Sequence, residues 1–301
     1  MREKEFISSI KQILNSEYIG DDCAYLKDLG IVLTQDSLIE DVHFKMNYIT
    51  PFQLGYKSIM VNISDIAASG AIPAYLTVAL SLPNDINEDF IAEFYKGCKS
   101  ACPQNVQIVG GDITSADKIC ISVCAIGKTK NRNISSRKNA QIGQKVVVSG
   151  VHGSSGAGLE LLLKGEHQPE KFIKPHLEPK AQIEFGKYLG ENIKEEYAAM
   201  DTSDGLMDAL STIANESGVL LDIDFSKIPY DKDIEKFDNW LNLILYGGED
   251  YQIVATVPQY IDIGTKIGEV KRGLGVNIKI NGKEKLYSKT DVENKIYNHF
   301  K

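Results

Sequence analysis

Residues 51–82 read PFQLGYKSIMVNISDIAASGAIPAYLTVALSL, a helical pattern followed directly by a strand pattern. The helical spacing of apolar residues extends over 51–68, and Gly70 ends the helix. Residues 75–82 then read as a strand. Further elements follow: a helix over 88–101 and strands over 106–109, ending in Gly110-Gly111-Asp112, and over 118–126. Alternating helices and strands predict a mixed fold of the α/β or α+β class.

The same alternation continues on both sides of this stretch. A hairpin over 23–35 precedes it. The polar, basic segment 128–144 has no clear period and predicts a domain boundary near residue 135. Beyond it we expect strands over 145–150, near 219–224 and near 251–256, and helices near 156–164, 179–191 and 205–217. The sequence therefore predicts an N-terminal domain over 1–135 and a C-terminal domain over 136–301.

Composition excludes several protein classes. The chain has 301 residues, a formal net charge of −8 and 43% hydrophobic residues, which is ordinary globular usage. A negative balance argues against nucleic-acid or anionic-membrane binding. No stretch approaches the roughly 18 apolar residues of a membrane span, and the start lacks the apolar core of a signal peptide. We interpret the five cysteines as reduced thiols, which predicts a cytoplasmic protein.

Acidic residues beside glycine or serine recur along the chain, at what we predict to be the ends of helices and strands. Several carboxylates aimed into one cleft would repel each other and need a cation to coexist. Oxygen ligands suit Mg²⁺ or Ca²⁺. Each motif taken singly is equally explained by helix capping or turn formation, and their spacing does not show that they meet. The motifs are Gly20-Asp21-Asp22, Thr34-Gln35-Asp36, Asn62-Ile63-Ser64-Asp65, Gly110-Gly111-Asp112, Asp201-Thr202-Ser203-Asp204-Gly205 and Gly247-Gly248-Glu249-Asp250.

Other candidate residues are ambiguous on the sequence alone. The glycine-rich loop 150–158 follows a strand and opens a helix, so it is either an anion site or a tight turn. Arg137 is either a nucleotide ligand or a solvated linker charge. His43 is of interest because of its acidic neighbours, and Tyr95 and Tyr297 are candidates for stacking on a ring.

Taken together, these motifs resemble a known family. GDDCA (20–24), TQDSLIEDVHF (34–44), NISDIAASGA (62–71), GGDIT (110–114), MDTSDGL (200–206), GGEDYQI (247–253) and KIYNHF (295–300) occur in the order found in thiamine-monophosphate kinases. The similarity extends from about residue 3 to residue 300. Each motif is short, and it is their combination that is specific.

The resemblance implies a fold and a reaction. Such kinases belong to the aminoimidazole ribonucleotide synthetase superfamily, whose N-terminal domain forms a β-barrel across a homodimer and is followed by a C-terminal α+β domain. The implied reaction converts ATP and thiamine monophosphate to ADP and thiamine diphosphate by direct in-line transfer. It needs several Mg²⁺ ions, and ATP is a co-substrate.

The resemblance also implies roles for individual residues. Metal ligands would be Asp22, Thr34, Gln35, Asp36, Asp65, Asp112, Asp201 and Asp204. ATP contacts would be Tyr95, Gly111, Asp112, Arg137 and Ser203. Substrate contacts would be His43, Glu249 and Tyr297. We expect Asp36, Asp65 and Asp112 to form the core of the catalytic metal site.

Two residues depart from the family pattern, and two alternative functions remain open. Gln35 stands where the family usually has Thr, and Asp41 where it commonly has Gly. The change at Gln35 matters only if the ligand is the side-chain hydroxyl rather than the main-chain carbonyl. One alternative function is that of another ATP-dependent superfamily member, such as aminoimidazole ribonucleotide synthetase or the hydrogenase maturation protein HypE. The other is a non-catalytic Mg-nucleotide-binding protein.

Overall fold

The computed structural model describes residues 3–297. Its first half contains α1 (Glu3–Leu14), β1 (Ala24–Leu26), β2 (Ile31–Ile39), α2 (Pro51–Ala68), β3 (Ile72–Leu82), α3 (Glu88–Ala101), β4 (Gln107–Ser115) and β5 (Cys120–Lys128). Its second half contains β6 (Lys145–Val148), α4 (Ser154–Leu163), α5 (Glu170–Leu177), α6 (Ile183–Asn192), β7 (Ala199–Asp201), α7 (Leu206–Ser217), β8 (Leu220–Asp224), α8 (Trp240–Tyr246), β9 (Ile253–Val257), β10 (Thr265–Lys271), β11 (Gly275–Ile280), β12 (Lys283–Tyr287) and α9 (Lys289–Glu293). None of the helices over 3–297 has the length and apolar character needed to cross a membrane.

The first half builds a five-stranded sheet in the order β1-β2-β5-β3-β4. Its β3–β4 pair is parallel, and its other pairs are antiparallel. Helix α2 packs against β2, β3 and β5 and against α3. Along β2, Val32, Thr34 and Leu38 are buried, whereas Gln35 and Ser37 are exposed. Since successive strand residues point to opposite faces, the core lies on one face of this sheet.

The second half builds a seven-stranded sheet in the order β12-β11-β8-β10-β6-β9-β7. Helix α2 also packs against α6 and β7, so this one helix contacts both halves of the molecule. No helix or strand lies between Lys128 and Lys145, and this connection runs between the two sheets. The predicted domain boundary near residue 135 falls in it and stays a prediction.

The start of α2 shows why the local sequence was informative. Thr50 accepts a hydrogen bond from the Gln53 N–H, and the Gln53 side chain accepts one from the Thr50 N–H. Pro51 occupies the first helical position, where its missing N–H costs nothing. The predicted bounds of α2 and α3 are confirmed, as is the mixed α/β fold class.

Two predicted strand ends differ from the structure. Strand β4 runs through Gly110-Gly111-Asp112 instead of ending there, and Asp36 lies in the middle of β2. Helices α5, α8 and α9 and strands β7 and β10 to β12 were not predicted, because their apolar periods are short. The five-stranded sheet is open within one chain. A closed barrel would therefore need a second copy, and it stays a prediction.

Candidate active site

Three aspartates from distant parts of the chain form a carboxylate cluster. Asp22 precedes β1, Asp65 lies in the last turn of α2, and Asp201 ends β7. One oxygen from each lies within 4.8 Å of the others. The fold thus joins three of the six acidic motifs, which the spacing alone could not establish.

Hydroxyl groups orient two of these carboxylates. The Thr34 Oγ1 hydroxyl donates a 2.6 Å hydrogen bond to Asp65 Oδ2. The Ser64 hydroxyl donates one of 2.6 Å to Asp201 Oδ2. Both hydroxyls belong to the predicted motifs, so the small residues beside the aspartates hold the carboxylates in place.

The cluster carries more negative charge than its surroundings balance. Burial raises the pKa of Asp65 well above its usual range, and the nearby Asp36 and Asp201 carboxylates raise it further. Burial and the neighbouring Asp22 raise the pKa of Asp201 to about 7. A bound cation would relieve this repulsion, and an all-oxygen donor set suits Mg²⁺ or Ca²⁺. The residues present therefore fit a divalent ion.

Arg137 is anchored at this cluster. Its Nη2 lies 2.5 Å from Asp22 Oδ1, and its main-chain N–H donates to Asp21 Oδ1 at 2.7 Å. Its Nε is buried and has no hydrogen-bond partner among the described residues. The alternative that Arg137 is a solvated linker charge is therefore wrong.

Asp36 lies beside the cluster, whereas the Gln35 side chain points away from it. The Asp36 N–H donates to Asn62 Oδ1 at 2.9 Å, which ties β2 to α2. The Gln35 side chain lies on the exposed face and donates to Ser122 Oγ at 3.1 Å. Only the main chain of Gln35 can therefore face the cluster, so the departure from Thr changes no side chain there.

Asp112 is far from Asp36 within one chain. The register aligns Asp36 with Val123, Val123 with Val78, and Val78 with Gly111. Three strand spacings place the β4 motif about 14 Å from Asp36. Asp112 itself is exposed. Of the expected core of the metal site, the single chain thus brings together Asp36 and Asp65 but not Asp112.

Gly111 is required by close packing. A Cβ atom at this position would lie 1.9 Å from the main-chain oxygen of Val78 on β3. At the neighbouring Gly110 the same atom would meet nothing within 4 Å. The motif thus contains one glycine that the sheet requires and one that it does not.

The glycine-rich loop before α4 binds a carboxylate of the protein itself. Asp250 accepts hydrogen bonds from the main-chain N–H groups of Gly153 (2.5 Å) and Ser155 (2.8 Å). These are the free N–H groups at which a helix N-terminus attracts anions. The loop is therefore a turn capped by Asp250, and this resolves the ambiguity left by the sequence.

A cavity of about 690 Å³ lies next to the cluster, a size typical of small-molecule sites. Six of the predicted site residues line it: Asp36, His43, Ser203, Asp204, Glu249 and Tyr297. Apolar and aromatic side chains complete its wall, among them Tyr48, Leu159, Leu243 and Tyr251. The cavity thus combines acidic groups with a surface suited to an organic ring.

The residues predicted to contact the substrate are held in different ways. His43 Nδ1 accepts a 3.0 Å hydrogen bond from the Ile39 N–H, so the proton of the neutral ring lies on Nε2. Tyr297 is 58% exposed at the wall of the cavity. The rest of the terminal motif, residues 298–300, lies outside the described residues.

Tyr95 lies elsewhere. It is on α3, where it packs edge-to-face on Phe94 with ring centroids 5.4 Å apart. It is not among the residues that line the described cavity. Its expected contact with ATP stays a prediction.

Lys57 and His176 are site residues that the sequence reading missed. Burial raises the pKa of Glu249, but the adjacent Lys57 ammonium outweighs this, so that its pKa lies below the usual range. The Lys57 ammonium lies 3.1 Å from Glu249 Oε1 and His176 Nδ1 lies 3.3 Å from Oε2. The sequence contained one signal for this pair, since Lys57 lies among the apolar residues of α2. Its partner Glu249 is far away in the sequence.

Comparison with known proteins agrees with these observations. The family model described as AIR synthase related protein, N-terminal domain, matches residues 20–129. The thiamine-monophosphate kinase of Aquifex aeolicus (strain VF5) is 38% identical over 322 residues, covering 100% of each chain. This chain belongs to the thiamine-monophosphate kinase family. The Bacillus subtilis (strain 168) member of that family is 35% identical and covers 94% of this chain and 93% of its own.

A solved structure of the family has the same fold. It is described as AaThiL complexed with AMPPCP and TMP, and it superimposes with a TM-score of 0.88 at 36% identity. The alignment covers 99% of this chain and 97% of that one. The resemblance drawn from the motifs is thus confirmed along the whole chain.

Proposed function

We propose that this protein transfers the γ-phosphoryl group of ATP to thiamine monophosphate, giving ADP and thiamine diphosphate. The supporting observation is a cavity with apolar and aromatic walls that opens beside the carboxylate cluster. Such a cavity suits a substrate with an organic ring system at one end and a phosphate at the other. Membership of the thiamine-monophosphate kinase family supports the same reaction.

The proposed reaction includes Mg²⁺ ions bound by the acidic residues. Mg²⁺ bound at the cluster supplies neutralisation of the charge on the ATP and acceptor phosphates, which otherwise repel each other. Asp22, Asp36, Asp65 and Asp201 lie where they can hold such ions. The further proposed ligands are Thr34, the main chain of Gln35, Asp112 and Asp204.

The protein groups position the two phosphates. We assign Gly111, Asp112, Arg137, Ser203 and Tyr95 to ATP, and His43, Glu249 and Tyr297 to thiamine monophosphate. The attacking atom is a phosphate oxygen of the substrate, which is ionised at neutral pH. No strong general base is therefore required, and alignment with charge neutralisation is sufficient.

The distant position of Asp112 supports a homodimer. Strand β4 lies at the edge of its sheet, with Val109 58% and Ile113 63% exposed. An unpaired edge strand with exposed apolar side chains is normally covered. A second copy packed on this edge would cover it, and we propose that Asp112 then acts in the site of that second copy.

The reaction is tested by incubating the purified protein with ATP, Mg²⁺ and thiamine monophosphate, and separating the thiamine phosphates as fluorescent oxidation products. Diphosphate should form from the monophosphate, but not from thiamine itself and not without Mg²⁺. ATP binding without diphosphate would contradict the proposal and favour another superfamily reaction or a nucleotide-binding role.

A further inference from the structure

One ion pair connects the wall of the cavity to the helix that both halves of the molecule share. Lys57 lies on α2 and is 1% exposed. Its Nζ lies 3.1 Å from each carboxylate oxygen of Glu249. A buried lysine is rare unless it is paired, so this contact accounts for its presence in the core.

The main chain of Glu249 is fixed from the opposite side. Its N–H donates a 2.7 Å hydrogen bond to the Ser203 carbonyl, and its φ is +64°, a conformation uncommon for a side-chain-bearing residue. The next residue, Asp250, is held by the N-terminus of α4. The main chain at Glu249 is therefore anchored to the second half of the molecule, whereas the Glu249 carboxylate is held by Lys57 of α2.

His176 occupies the other side of this carboxylate. Its Nδ1 lies 3.3 Å from Glu249 Oε2 and 3.0 Å from the Ser155 hydroxyl. Burial keeps this ring neutral by lowering its pKa to about 3. The charge of Glu249 is therefore matched by Lys57 and not by His176.

We propose that Lys57 is a positioning residue for substrate recognition: its buried ammonium holds the Glu249 carboxylate as a fixed hydrogen-bond acceptor facing the cavity. The charges of Lys57 and Glu249 balance each other. Glu249 therefore recognises an N–H donor of the substrate's aminopyrimidine through the direction of a hydrogen bond, and not by attracting the cationic thiazolium ring. This inference rests on the proposed function, since it names the role of one residue in recognising thiamine monophosphate.

The test compares Lys57→Met, Glu249→Gln and the double variant, with KM measured separately for each substrate. Lys57→Met should raise KM for thiamine monophosphate about 10-fold or more, as expected for the loss of one charged hydrogen bond. KM for ATP should change less than about 2-fold. If Lys57 acts through Glu249, adding Lys57→Met to Glu249→Gln should cause no further loss.

The double variant also guards against unfolding, because it leaves no unpaired carboxylate in the core. Lys171→Met is the matched control, since the ion pairs of Lys171 with Asp231 and Asp233 lie outside the cavity. An equal rise in both KM values, or additive losses in the double variant, would overturn the inference.

Calorimetric binding of thiamine monophosphate separates this inference from the proposed reaction. If the wild type binds the compound but makes no diphosphate, the reaction is wrong, and weaker binding by Lys57→Met still supports the role of Lys57. If the wild type does not bind it, both proposals fail.

Discussion

The Ser64 hydroxyl donates a 2.6 Å hydrogen bond to Asp201 Oδ2, and this bond joins helix α2 to strand β7. The two residues belong to different halves of the chain. The carboxylate cluster is thus built where the halves meet, and its geometry depends on how α2 packs on the second sheet. Substitutions in α2 should therefore change both the metal affinity of the cluster and the stability of the protein.

Ser64→Ala should lower the affinity for Mg²⁺ and destabilise the fold by about 1–3 kcal/mol, because Asp201 loses its buried donor. The measurement is a Mg²⁺ titration followed by thermal unfolding. Ser58→Ala is the matched control, since that buried hydroxyl donates only to the Leu54 carbonyl of the same helix. Equal effects of the two variants would contradict this role of Ser64.

Asp65→Asn should reduce turnover by at least about 100-fold, because a carboxylate ligand of the proposed Mg²⁺ site is lost and with it charge neutralisation at the reacting phosphates. Mg²⁺ should raise the melting temperature of the wild type but not of this variant. Asp85→Asn, in an exposed loop, is the control. Full turnover of Asp65→Asn at saturating Mg²⁺ would show that Asp65 is not a metal ligand.

Gly111→Ala should destabilise the protein by about 2 kcal/mol or more, since the new methyl group collides with the Val78 carbonyl and strand β4 must shift. Gly110→Ala should change stability little, because the space there is open. Chemical denaturation of both variants measures the difference. Similar losses would mean that the packing of β4 on β3 does not govern this motif.

His152→Leu should make the protein less sensitive to acid. Burial without a hydrogen-bond partner lowers the pKa of His152 to about 3, whereas the unfolded chain binds this proton near pH 6.5. Stability is therefore complete above about pH 6.5 and falls as the pH decreases toward 3. Between about pH 7.5 and about pH 5.5, the wild type should lose about 1.4 kcal/mol through this residue.

Urea unfolding at the two pH values provides this measurement, with the exposed His167→Leu as control. The pH dependence should shrink in His152→Leu alone. If it stays as large as in the wild type, the loss arises from other groups.

Mixing Asp36→Asn with Asp112→Asn protein should restore activity if Asp112 acts across a homodimer. Each variant alone should be nearly inactive. After subunit exchange, about a quarter of the wild-type activity should return, because half of the dimers are mixed and each has one intact site. Sedimentation analysis establishes the dimer. A dimer that regains no activity would place Asp112 in the site of its own chain.

Much of the fold could be predicted because its signals are local. The apolar period over 51–68 and Gly70 define α2 within a few residues, and this is why its predicted bounds are confirmed. The short strands β10 to β12 carry too few alternations to be recognised. The identity of the acidic residues was likewise readable, because carboxylates beside small residues form short contiguous motifs.

The sequence by itself determined the mixed α/β class, the main helices and the family. Tertiary structure alone decided that Asp22, Asp65 and Asp201 meet, that Asp250 caps α4, and that Lys57 pairs with Glu249. Local propensity depends on neighbouring residues, whereas these contacts depend on strand register and on the packing of α2 between the two sheets. The spacing of residues along the chain does not specify these distances, because the packing of the folded chain sets them.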